Sequence, residues 1–411
     1  MTSTTKTPRT AGRRMGRTWA AALGAAFATC TSFAQAPAAA SAAPPTQGVS
    51  AGQIVLGTIQ DLSGPAAALG KHGLAGMQMR VDAINAAGGI HGRKLVLRAE
   101  DSAYDPKRAV LAAQKLVQQD GIFALVGHFG SANNLAAMPL QFERGVVNFM
   151  PVAPAREMYE PPQALKFATL VSGYEQMRHA VPRLVAEKKA ERSCILYQDD
   201  EFGLEVLRGT EAALAGMNRT LAERTSYKRG ATDFASQMAR LKAAHCELVV
   251  LGTVVRETIG AVATSRAMGF APTFLANMAG YTDLIHRLGG AAMDGVYAAM
   301  AAEFPYPDSP SAAVRDWAAA YKARTGEDPS GTSAVGWQII DILAHALERA
   351  GPRLTSAALL EAMNGLAYED PLFGSPPQRW SATQRLGSDA VRLARIEDGR
   401  WRVVSDYFNG Q

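Results

Sequence analysis

IFALVGHFGSANN, residues 122–134, decides how the chain is read. The apolar run IFALV (122–126) reads as a buried strand, and the LAAMPLQFERG that follows suits a helix. Between them, Gly127 and Gly130 let the backbone turn closely, while Ser131, Asn133 and Asn134 are residue types that open helices. A strand that stops in small residues and restarts as a helix leaves free N–H groups and a hydroxyl in one place, a ready anion site. A Ser131 hydroxyl that merely caps its own helix explains the same letters.

On either side, short apolar runs alternate with helical patterns. Strands are expected at IVLGTI (54–59), LVLRA (95–99) and VVNFM (146–150), then at CILY (194–197), LVVLG (248–252), TFLA (273–276) and GVYAAM (295–300). Leu74, Met77, Val81 and Ile84 recur at three- and four-residue spacing, one face of a helix ending at Gly88-Gly89. Met177, Val181, Leu184 and Val185 repeat the pattern, as do Phe234, Met238 and Leu241. Strand, helix, strand at such intervals implies right-handed crossovers and parallel sheets covered on both faces. Two batches of strands predict an α/β protein with two doubly wound parallel-sheet lobes. In such sheets a ligand lies beyond the carboxyl ends of the strands, which singles out the turns at 60–70, 101–106, 127–134, 151–156, 198–203, 253–257 and 277–281.

A chain of 411 residues with 48% hydrophobic content is long enough for two cores. Residues 1–34 read as a signal peptide: Lys6, Arg9, Arg13, Arg14 and Arg17 precede the apolar TWAAALGAAFATC (18–30) and then small residues. Cleavage is expected near Ala34 or Ala43, followed by an Ala/Pro linker over 35–51, and the mature protein belongs outside the cytoplasm, in a periplasm. The Arg13-Arg14 pair lacks the surroundings of a twin-arginine signal, and Cys30 sits in a poor lipobox. The five basic residues of the leader account for the formal charge of +5, leaving 37 basic against 37 acidic. No polybasic patch is left to argue for nucleic acid. Cys194 and Cys246 each precede an apolar run; an oxidising compartment permits a disulfide between them, and two buried thiols fit equally well.

The segments DLSGPAAALG (61–70), INAAGGIHGRKLVL (84–97), EDSAYDPKRAV (100–110) and GHFGSANN (127–134) stand in an order that resembles the leucine/isoleucine/valine-binding family of type I periplasmic binding proteins. The resemblance continues through YQDDEFG (197–203), DFASQMARLKAAHCELVVLG (233–252) and AMGF (267–270), over nearly all of the mature chain. It implies two lobes joined by a three-crossover hinge, with lobe 1 at 52–168 plus 302–388 and lobe 2 at 169–301 plus 389–408. It also implies a small-molecule ligand, an ABC permease and ATPase as partners, and a monomer. Carried over by position, Ser131 hydrogen-bonds a ligand carboxylate, with Asn133 beside it and the backbone of Val152 and Pro154 nearby. Tyr174, at the first crossover, is a hinge or capping residue.

Several positions depart from the family. Pro154 replaces a threonine, Leu69 an aromatic residue and Phe202 a tyrosine, while Tyr104 and Gly130 replace a cysteine pair. The tyrosine and glutamate that receive the ammonium of an amino acid are Val254 and Met278 here. An ammonium enclosed without a partner costs several kcal/mol, about what micromolar binding supplies. Either Asp199, Asp200 or Glu257 substitutes, or the ligand has no amino group. With Leu69, Phe129, Phe202, Val254 and Met278 as a more apolar lining, the second is expected: an apolar or aromatic acid.

No enzyme is expected. No turn spells a dinucleotide or P-loop fingerprint, the histidines show no paired metal spacing, and Ser131 lacks an evident base. No cofactor or metal is therefore expected. A module of the same fold that serves a sensor or regulator is the alternative to an importer receptor.

Overall fold

The computed structural model describes residues 46–409. The signal peptide and residues 35–45 of the linker lie outside the described residues. Among the described residues fourteen strands run in chain order. The first sheet holds β1 (Gln53–Gln60), β2 (Lys94–Asp101), β3 (Ala124–Val126), β4 (Val147–Phe149) and β5 (Lys166–Phe167), ordered β2-β1-β3-β4-β5 and parallel throughout. The second holds β6 (Ser193–Gln198), β7 (Glu223–Tyr227), β8 (Leu248–Gly252), β9 (Thr273–Ala276) and β10 (Tyr297–Met300). After a ribbon of β11 (Ala367–Tyr368) and β12 (Gln378–Arg379), the chain adds β13 (Arg392–Glu397) and β14 (Arg400–Val403) antiparallel to the second sheet's edge.

Both parallel sheets share one strand order, with a switch point between their first and third strands in chain order. Helices cover them: α1 (Ala67–Ala86), α2 (Pro106–Gln114), α3 (Ser131–Glu143), α4 (Gly173–Lys188), α5 (Glu201–Ala215), α6 (Ala235–Ala243), α7 (Val255–Ala267) and α8 (Asp283–Gly289), then α9 (Ala312–Thr325), α10 (Gly331–Ala350) and α11 (Ser356–Met363). Each expected apolar stripe is buried. Met77, Val81 and Ile84 of α1 pack with Ile54 and Leu56 of β1, and Met177, Val181 and Leu184 of α4 with Ile195 of β6. Fully covered central strands explain why their sequences read as unbroken apolar runs instead of alternating ones.

The chain passes between the sheets three times. It leaves the first after β5, returns after β10 to lay α10 against α1, and leaves again for β13. Ile339, Ile340 and Leu343 of α10 thereby join the core of β1, although nearly 300 residues separate them in sequence. The sheets also touch: Leu69, Tyr104 and Phe129, from turns at the end of the first, share a cluster with Val255 and Phe234 of the second. Cys194 and Cys246 form a disulfide with Cα atoms 5.8 Å apart. Among the described residues no helix is long and apolar enough to cross a membrane.

Candidate functional site

At the carboxyl end of β3 the chain enters α3 through Gly127 (φ +58°) and Gly130 (φ +94°), both in the left-handed region. A Cβ at Gly130 would stand 2.9 Å from the Tyr104 ring, and one at Gly127 2.9 Å from Met77 Sδ, so neither position admits a side chain. Gly130 occupies the N-cap of α3 and Ser131 is its first residue. The Ser131 hydroxyl therefore caps nothing: it is buried, and its Oγ has no hydrogen-bond partner among the described residues. First-turn N–H groups of a helix have no intrahelical acceptor either. Of the other polar groups of the turn, the two asparagine NH₂ groups are committed, while Asn133 Oδ1 and both His128 ring nitrogens have no partner among the described residues. Asn134 Nδ2 donates to the carbonyls of His128 (2.8 Å) and Gly130 (2.9 Å), and Asn133 Nδ2 donates to Ser102 Oγ at 3.1 Å. Burial pushes the His128 imidazole down to about 3, so it is neutral near pH 7.

Ser131 faces a cavity of about 100 Å³ between the two sheets, with all three chain crossings in its wall. Leu69, Tyr104, Phe129, Val152 and Pro154 approach from the first sheet, and Phe202, Val254 and Met278 from the second. Thr169, Ala301 and Ser388 belong to the crossings, and Thr332, Gln338, Ser375 and Gln378 come from α10 and the β12 region. No Asp, Glu, Lys, Arg or His contributes to this wall.

Eight of the ten residues singled out from sequence meet here: Leu69, Phe129, Ser131, Val152, Pro154, Phe202, Val254 and Met278. Asn133 and Tyr174 do not. Asn133 is turned inward by its bonds to Ser102 and Phe129. Tyr174 lies under the Arg156 guanidinium, 3.9 Å from its ring centre, with its backbone against Gly209. Val152 and Pro154 contribute side chains only. Val152 N–H donates to the His128 carbonyl at 3.0 Å, its own carbonyl accepts from Gly130, the Pro154 carbonyl accepts from Gly173, and proline has no N–H. The expected backbone contacts to a carboxylate are thus already spent. Tyr104, Thr169, Gln338, Ser375 and Gln378 went unmarked in the sequence; for Tyr104 the signal present was its place on the β2–α2 turn, while the others lie on no turn after a central strand.

None of the three acidic residues near an ammonium position reaches the wall. Asp199 pairs with Lys228 at 2.9 Å, and Asp200 caps α5 while bonding Gln198 and Arg229. Glu257 is buried in the first turn of α7; neither carboxylate oxygen accepts a hydrogen bond among the described residues, Arg256 Nη2 stands 4.0 Å from Oε1, and burial raises its pKa. Among the described residues no group of three or more His, Cys, Asp or Glu is placed to hold a metal.

A family model described as periplasmic binding protein matches residues 53–400. A curated relative, the Leu/Ile/Val-binding protein homolog 7 of Brucella abortus, is 26% identical over 331 residues, covering 77% of this chain and 82% of its own. Among solved structures, a fatty acid ABC transporter substrate-binding protein from Thermomonospora curvata superposes with a TM-score of 0.81 at 22% identity, covering 90% of this chain and 95% of that one. An ABC transporter solute binding protein from R. palustris in complex with benzoate gives a TM-score of 0.76 at 16% identity, covering 88% and 98%.

Proposed function

The chain belongs to the leucine/isoleucine/valine-binding family of type I periplasmic binding proteins, and from that premise we propose that it is the extracytoplasmic receptor of an ABC importer for small acids lacking an α-amino group. In this reading the leader exports the protein to the periplasm, and lobes of 52–168 plus 302–388 and 169–301 plus 389–408 close over the ligand. A permease and its ATPase then receive the solute, and the protein itself catalyses nothing.

One observation carries the choice of ligand: the cavity combines a free buried hydroxyl at an uncapped helix N-terminus with a wall that holds no charged side chain. A carboxylate fits that pairing, because Ser131 Oγ and the first-turn N–H groups of α3 supply donors and the helix dipole favours negative charge. An ammonium does not fit, since enclosure strips its water and no carboxylate on the wall offsets its charge. Leu69, Phe129, Phe202, Val254 and Met278 offer the remainder of the ligand an apolar lining. The fatty acid and benzoate named for two proteins of the same fold are acids without an amino group, in keeping with this choice.

The test is a thermal-shift screen of leucine, valine, aliphatic acids and aromatic acids at one concentration. A ligand at a hundredfold excess over its Kd adds about 2.7 kcal/mol to folding stability, and the acids are expected to give the larger shifts. A large shift with leucine alone rejects this reading.

A further inference from the structure

The Ser131 turn is not the cavity's sole source of hydrogen bonds. Gln338 of α10 is 4% exposed and donates its amide N–H to Ser375 Oγ at 2.6 Å. Thr169, on the first crossing, donates its hydroxyl to Oε1 of Gln378, a residue 3% exposed on β12. All four residues line the cavity. Each pairing uses one half of an amide and leaves the other half without a partner among the described residues: the Gln338 oxygen and the Gln378 NH₂. Neither atom is among the sealed, unpartnered polar atoms, so each keeps some exposure in a nearly buried residue that lines the cavity. Ser375, accepting from Gln338, keeps its own hydrogen to give.

We propose that Gln338, Gln378 and Ser375 form a second, neutral subsite, so that the ligand is an acid which also carries a hydroxyl or carboxamide group. This rests on the reading of the cavity as an acid receptor. The subsite presents an acceptor beside donors, which matches a group that both donates and accepts. With no charge in the cluster, a second carboxylate or an ammonium is disfavoured there. A ligand lacking the second group leaves the buried amide halves unpaired, and an unpaired polar atom in a dry site is the larger part of such discrimination.

Calorimetry on the mature chain tests this with two matched pairs, benzoate against 4-hydroxybenzoate and hexanoate against 6-hydroxyhexanoate. The hydroxylated member of at least one pair is expected to bind about tenfold more tightly. Gln338→Met and Gln378→Met are expected to abolish that preference, read as the ratio of the two Kd values within each pair. Equal affinity within both pairs in the unaltered protein overturns the subsite, as does a preference that survives both substitutions. Either result leaves the receptor reading standing if the plain acids bind and Ser131→Ala weakens them. Failure of all four acids to bind overturns the receptor reading and the subsite with it. If a variant does not fold, the comparison within pairs on the unaltered protein still decides.

Discussion

The side chains of Ser131 and Glu257 are both buried without a hydrogen bond among the described residues, yet removing each has opposite meaning. The Ser131 hydroxyl bonds nothing in the ligand-free chain, so Ser131→Ala is expected to leave the melting temperature nearly unchanged. Carboxylate binding should weaken by about 1.5–3 kcal/mol, the range for a hydrogen bond to a charged group, read by calorimetry. If the variant destabilises the empty protein instead, the hydroxyl is structural. Burial raises the Glu257 pKa above its ordinary 4.5, so the folded protein holds this proton more tightly than the unfolded chain does. Its contribution is present below the ordinary carboxylate range and is lost as pH rises through the folded-state pKa. Glu257→Gln is therefore expected to melt above the unaltered protein near pH 7, with the gap closing towards pH 4. Thermal melts across that range measure it, and a gap that does not change with pH rules the account out.

At the scale of elements, helix starts are treated unequally, and that inequality shapes the site. Asp200 caps α5 by accepting from the N–H groups of Phe202 and Gly203, so its dipole end is already answered. The starts of α3 and α7 carry no side-chain cap bond, and both aim at the cavity through Ser131 and Val254. The disulfide acts elsewhere, tying β6 to the second residue before β8 across 52 positions. Loop closure of that size contributes about 3–4 kcal/mol in a chain-entropy account. Replacing both cysteines by alanine is expected to lower denaturant stability by about 2–4 kcal/mol while leaving ligand affinity within twofold, since neither residue lines the cavity. Most elements were legible in the sequence because a strand covered on both faces must be apolar throughout. The pair β13 and β14 was not: RLARIE and RWRV carry charges at an antiparallel edge, where only part of the strand is covered.

Across the whole molecule, two charged clasps join the sheets. Glu205 on α5 is buried and accepts from Arg156 of the β4–β5 segment, by its Nε at 3.3 Å, its Nη2 at 3.2 Å and its backbone N–H at 3.2 Å. Arg229, from the loop after β7, pairs with Asp200, lies 4.4 Å over the Tyr104 ring and donates to the Tyr104 carbonyl. In the proposed closing motion such contacts form only in the closed state, so Arg229→Ala should loosen every ligand by the same factor. A partly exposed ion pair is worth about 1 kcal/mol, or roughly fivefold in Kd; titration of several acids checks this, and a factor that varies with the ligand sinks it. By itself the sequence determined the alternation of strands and helices, the turns that meet at the cleft and the apolar character of seven wall residues. Those properties follow from short-range periodicity and turn chemistry, which neighbouring letters carry. Tertiary structure alone decided which polar atoms are free there. Whether Ser131, the Val152 backbone or Gln378 has a hydrogen bond to spare depends on partners such as Thr169, 209 residues from Gln378, and no local pattern records what a distant group has already taken.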